Sequence, residues 1–182
     1  ISSGSNAIDL INNFKKTGMS VSRKRFIILK PKGLGNFCNL KCFMCPPHLS
    51  SSRSTEMIKM SNDTANIFYK NGIAGLDYSM KNNNKQIKEY QDLYFEIIEL
   101  MGDQLLCINL SGGEPTMISG FIPILDKLVE SGHSKKMKLF LNSNMTKMSL
   151  LENNFADYFK EFKSVAIQAS IDNVGKYDEW QR

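Results

Sequence analysis

Four short apolar runs constrain this chain more than any other feature. They lie at 26–29, 105–110, 138–141 and 165–169. Each has the length of a buried strand, and the last alternates Val165, Ile167 and Ala169 with smaller or more polar neighbours. Segments with helical spacing separate the later runs. Ile87, Tyr90, Tyr94, Ile97 and Met101 form an apolar stripe before the second. Residues 121–131 follow it, with Pro123 in the first turn and Gly132 past the end, the start and stop signals of a helix. Residues 148–162 precede the fourth run and place Leu151, Phe155, Tyr158 and Phe162 on one helical side. Such alternation predicts a parallel sheet with helices on its outside. The stretch 33–80 is longer than a simple crossover and reads as an insertion. We expect a flexible Ser-rich loop at 50–54, a short helix at 61–70 capped by Ser61, and irregular chain at 72–84.

Composition sets outer limits. With 42% hydrophobic and 23% charged residues, the chain matches one globular domain and excludes a disordered tail, a collagen repeat or a coiled coil. No apolar run approaches the ~20 residues that span a bilayer. Residues 1–10 lack the basic leader, long apolar stretch and cleavage site of a secretory signal, so a cytoplasmic protein is expected. Twenty-three Lys and Arg against 18 Asp and Glu give a net charge of +5. The lysines are scattered, which suits solubility or an anionic ligand better than nucleic acid. The chain opens on Ile1 and stops at Arg182, inside what reads as a new helix, so a fragment is expected.

Three of the four cysteines, Cys38, Cys42 and Cys45, are spaced C-x3-C-x2-C. Gly33 and Gly35 precede them and Pro46-Pro47 follow. Proline disfavours helical geometry in the residue before it, so the triplet sits on a loop just past the first strand. In α/β folds sites are built there. Without a secretory leader, a metal site is the better reading than a disulfide. Two ligand sets compete. Cys38, Cys42, Cys45 and His48 could form a Cys3His zinc site. Alternatively, the three thiolates could hold three irons of a [4Fe-4S] cluster and leave the fourth open. Cys107, within the second apolar run, reads as a core residue; His48 otherwise reads as a loop residue and His133 as a surface one. The other strand ends are Ser111-Gly112-Gly113-Glu114-Pro115, Asn142-Ser143-Asn144 and Ser170-Ile171-Asp172. Singly they are turns, loops or caps; together they gather on one face of a parallel sheet.

Cys38-Asn39-Leu40-Lys41-Cys42-Phe43-Met44-Cys45, with the later Gly112-Gly113-Glu114-Pro115, Asn142 and Ser170-Ile171-Asp172, resembles the radical S-adenosylmethionine (SAM) superfamily. The resemblance runs over 26–182. It is closest to members with a C-terminal twitch domain, which often carry a Ser-rich tract after the third Cys. It implies a partial parallel (β/α) barrel, with about four of six strand–helix units present. A helical extension would occupy 1–24, and the core domain 25–182, incomplete at its C-terminus.

The resemblance also implies chemistry. Cys38, Cys42 and Cys45 would hold a [4Fe-4S] cluster whose open iron takes the amino and carboxylate groups of SAM. Reductive cleavage would give a 5′-deoxyadenosyl radical that abstracts hydrogen from an unknown substrate, a peptide or a small molecule. The electron would come from a donor such as flavodoxin or ferredoxin. By position, Gly112, Gly113, Glu114 and Pro115 would meet the SAM amino group, and the Met44 backbone the adenine. Asn144 lies in the third-strand position, where the family's Thr-Asn-Gly is replaced by Ser143-Asn144-Met145, and Asn142 precedes it. Ser170 and Asp172 would lie near the ribose and methionine groups. Arg182 would reach the carboxylate, for which its planar fork is suited. No catalytic residue is assigned beyond cluster and SAM. The competing reading is a Cys3His zinc module with a structural or nucleic-acid-binding role.

Overall fold

A computed structural model describes residues 12, 15–17, 27–63, 84–150 and 153–171. The elements, in chain order, are β1 (Ile27–Leu29), α1 (Ser51–Asp63), α2 (Asn84–Met101), β2 (Leu105–Leu110), α3 (Ile122–Glu130), β3 (Lys138–Ser143), β4 (Ser149–Leu150), β5 (Asn153–Asn154) and β6 (Ser164–Ala169). Strands β1, β2, β3 and β6 form one parallel sheet in that order. The chain is therefore α/β, as its alternating pattern predicts.

Strand order that follows chain order has a consequence. Right-handed crossovers that always step the same way leave their helices on one face of the sheet. The core lies on that face. Ile98 of α2 and Leu125 and Leu128 of α3 pack with Ile108, Leu110, Leu139 and Leu141, all fully buried. Alternate strand residues point the other way. Ile28 is 55% exposed there, in register with Cys107. Cys107 is accordingly half-buried on the open face, not in the core as expected.

The helices obey their local signals. The α2 stripe buries Tyr94, Ile97 and Met101, and the Tyr94 hydroxyl is satisfied by the chain leaving β1. It accepts from Lys32 N at 2.7 Å and donates to Lys32 O at 3.0 Å. Gly132 ends α3 at φ +73°, a conformation that glycine adopts without steric cost. His133, expected at the surface, is half-buried with its ring against Gly102.

Two expectations are overturned. The Ser-rich tract is the start of α1, not a flexible loop. Ser50 is its N-cap, with Oγ accepting from Arg53 N at 3.3 Å. Ser61 consequently lies inside α1, and 64–70 of the expected helix lie outside the described residues. Residues 148–162 are not an α-helix. Ser149 and Leu150 pair antiparallel with Asn154 and Asn153, and Phe155–Lys160 is 3₁₀. Asn154 caps that turn through Oδ1, which accepts from Ala156 N at 3.1 Å. Of the expected 1–24 helix, Asn12 and 15–17 are described and helical, and Lys15 pairs with Glu96 of α2. The expected irregular chain at 72–84 lies outside the described residues, except Asn84, which begins α2. Among the described residues no helix is long and apolar enough to cross a membrane.

Candidate functional site

The chain between β1 and α1 carries the three thiols, and it is held from three directions. From α1, Ser52 Oγ donates to the Cys38 carbonyl, and Ser50 Oγ donates to Leu40 O at 3.1 Å. Ser51 N donates to Asn36 O at 2.9 Å. From the end of β2, Gly113 N donates to Leu49 O and Glu114 N to Phe37 O, both at 2.8 Å. Gly113 has φ +56°, and a Cβ there would stand 2.5 Å from Phe37 O. Only glycine permits that approach. From the end of β3, Asn144 Nδ2 donates to Asn39 Oδ1 at 3.1 Å and reaches Cys38 Sγ at 3.9 Å.

The thiols differ in environment. Cys38 is buried, and its sulfur also accepts from Leu40 N at 3.5 Å. Cys42 and Cys45 are half-buried and joined by a turn, Cys45 N donating to Cys42 O at 3.0 Å. Burial first, then the Cys38 and Cys42 sulfurs, push the Cys45 thiol up, and Arg53 opposes them. The thiolates would thus repel one another, and a cation between them removes that penalty. Arg53 also stacks over the Phe43 ring at 5.6 Å and pairs with Glu56 at 2.5 Å. Phe43 is 70% exposed and Met44 59%, at the tip of the loop.

A single ion and a cluster ask different things of these sulfurs. Zinc holds four ligands at ~2.0–2.3 Å around one point. Among the described residues no group of three or more His, Cys, Asp or Glu side chains, the three thiols included, is arranged to hold a metal ion, and His48 is exposed. A cubane spreads three thiolates over three irons and favours N–H donors on the sulfurs. Three thiols, with two N–H groups on the Cys38 sulfur, are the residue types such a cluster takes.

Glu114 joins the strand ends and is 1% exposed. Its Oε1 accepts from Ser143 Oγ at 2.7 Å and its Oε2 from Asn144 N at 2.7 Å. Thr116 Oγ1 lies 2.8 Å from Oε1 and 2.6 Å from Lys147 O, and its one proton serves one of the two. The side chain therefore turns inward as a structural acceptor and joins the end of β2 to the end of β3. Met145 N donates to Ser143 Oγ at 2.9 Å, with Met145 at φ +58°. Asn144 Oδ1 accepts from Thr146 N at 3.0 Å and from Thr146 Oγ1 at 2.6 Å.

The structure thus brings Cys38, Gly113, Glu114 and Asn144 into one hydrogen-bonded group. Asn142 stands apart, its amide toward Asn109 Oδ1 at 3.5 Å. Ser170 N donates to Ser143 O at 2.8 Å, beside the group. Asp172 and Arg182 lie outside the described residues. Sequence reasoning missed Ser50, Ser52, Asn39 and Thr146. Ser50 had a signal, since serine just before a helix start is a cap, whereas Ser52, inside the first turn, had none. Asn39 and Thr146 had none, because their pairing spans 107 positions. In comparisons with protein-family models, with characterised proteins and with solved structures, nothing matches this chain.

Proposed function

We propose that this chain is the cofactor-binding part of a radical SAM enzyme, its four parallel strands belonging to a partial (β/α) barrel. One observation carries the reading. The three-thiol loop, the Gly-Gly-Glu-Pro segment and the end of β3 are a single hydrogen-bonded unit at the C-terminal edge of a parallel sheet. Ligands bind at that edge in parallel α/β folds.

Cys38, Cys42 and Cys45 would hold a [4Fe-4S] cluster. With cluster and SAM bound, the chemistry supplied is one-electron cleavage of the sulfonium and hydrogen-atom abstraction from a substrate. The chain positions these groups. Asn144 and the Leu40 N–H stabilise negative charge on Cys38. Because Gly113 N and Glu114 N already donate to Leu49 and Phe37, the segment offers an amino group its carbonyl oxygens. Asn142, Asn144 and Ser170 border the same edge, and the exposed Met44 backbone borders the loop tip. Asp172 and Arg182 complete the assignment for SAM. The substrate class is a peptide or a small molecule, the reductant a flavodoxin or ferredoxin, and the compartment the cytoplasm.

Iron, sulfide and zinc content after anaerobic reconstitution tests this. About four irons with matching sulfide, lost in Cys42→Ala, is the expected result. About one zinc without sulfide, unaffected by iron, overturns it in favour of a Cys3His module.

A further inference from the structure

A cavity of about 200 Å³ lies between the chain leaving β1, the first turns of α2 and the Gly112-Gly113 backbone. None of the three thiols lines it. Its walls are mostly apolar, formed by Leu34, Leu49, Ile87, Tyr90 and Phe121. One cation stands at its rim. Lys32 Nζ donates to Ser111 Oγ at 2.9 Å and to Ser111 O at 3.2 Å, which leaves its third proton for a ligand. Among the described residues no carboxylate pairs with it.

We propose that this cavity binds a small amphipathic carboxylate, its head on Lys32 and Ser111 and its apolar body among Leu34, Ile87, Tyr90 and Phe121. Electrostatics supports the head group. Burial, then the nearby Lys30 charge, hold the Lys32 ammonium below the usual lysine range. A partly desolvated cation with a like-charged neighbour gains twice from an anion. The charge present suits a monoanion. Phosphate sites ordinarily use an arginine fork or a nest of free N–H groups. Here Gly113 N and Glu114 N are already bonded to the cysteine loop. Size sets the body. A volume of about 200 Å³ admits a small body, one ring with a short chain. That is well short of the ~300–1,000 Å³ of drug-sized sites. Added bulk at Gly112 would enter this space, since its nearest neighbours there are Lys32 Nζ at 3.8 Å and Leu49 Cδ2 at 3.9 Å. The inference does not depend on a bound cluster.

Saturation-transfer NMR on the full chain with 3-phenylpropanoate is the test. We expect transfer to the ligand ring, and binding at least about tenfold weaker for the uncharged 3-phenylpropanol. Lys32→Gln should bring the acid down to the level of the alcohol without changing the alcohol. Ile87→Trp, which fills the cavity, should abolish both. If Ile87→Trp does not fold, the rim variant Lys32→Gln still decides the outcome. Equal binding of acid and alcohol, an unchanged acid affinity in Lys32→Gln, or no transfer from the acid overturns the proposal. Full competition by inorganic phosphate overturns it in favour of a general anion site.

Discussion

Replacing Glu114 by alanine removes the acceptor that ties the end of β2 to the end of β3. The carboxylate is 1% exposed, so no water takes over its role. Ser143 Oγ and Asn144 N each lose a bond of 2.7 Å. A hydrogen bond to an ionised group contributes about 1.5–3 kcal/mol. Two of them sum to roughly 3–6 kcal/mol, and the relief of no longer burying a charge offsets part. The net loss expected is about 3 kcal/mol. For a chain of this size that lowers Tm by roughly 6–12 °C. Glu114→Gln behaves differently. Its carbonyl oxygen can keep the bond from Asn144 N, which cannot turn. Its NH₂ then faces the Ser143 and Thr116 hydroxyls, which can rotate from donor to acceptor, and the Thr116 N–H, whose long 3.4 Å bond is lost. That change is expected to cost only about 1 kcal/mol. Thermal melts followed by far-UV circular dichroism, with urea titration at neutral pH, separate the three proteins. An alanine variant that melts within about 2 °C of the parent refutes the reasoning. So does a glutamine variant as unstable as the alanine one.

The fold was legible wherever the signal was local and the alternatives differed in period. Strand β2 has the expected bounds, and Gly132 stops α3 where its position past an apolar helix says it should. The error at 148–162 has a specific cause. Phe155, Tyr158 and Phe162 recur at three and four, a spacing that suits an α-helix and a run of 3₁₀ turns equally well. The decision falls to Asn153 and Asn154, which favour turns and caps, and Asn154 does cap. The serine tract misled through composition. Ser50, Ser52 and Ser54 read as loop residues, yet two of them fasten the cysteine loop with their hydroxyls. At the candidate site, the types of residue and their order were visible, but not their orientation. Glu114 within a glycine-rich strand end suggests a ligand contact. Its inward turn depends on Ser143 and Asn144, about thirty positions away, which no spacing rule connects.

Three further outcomes are expected. Ser50→Ala loses both the cap on α1 and the hold on Leu40, which should lower stability by about 1–2 kcal/mol in a urea melt. Alkaline pH should weaken the fold through Tyr158. Burial, then its bond to Asp126 at 2.5 Å, raise that phenol above its ordinary ~10. The folded state then holds the proton more tightly than the unfolded one. This contribution is complete below pH ~10 and declines as pH rises above it, and Tyr158→Phe should flatten the decline in urea melts between pH 9 and 11. The last outcome compares two glycines in the same left-handed region. Gly132→Ala meets nothing within 4 Å, so it bears only the backbone penalty of about 1–2 kcal/mol. Gly113→Ala bears the same penalty and also drives its Cβ to 2.5 Å from Phe37 O and 2.9 Å from Asn36 C. Both are backbone atoms, so relief requires moving the cysteine loop. That movement strains the bonds from Gly113 N to Leu49 and from Glu114 N to Phe37. An excess loss of about 2 kcal/mol over Gly132→Ala is expected in paired urea melts. Equal losses would mean that the loop yields freely. The thiols would then not be held at the sheet edge by this contact, and the tight approach of the Gly-Gly-Glu-Pro segment would have no part in positioning them.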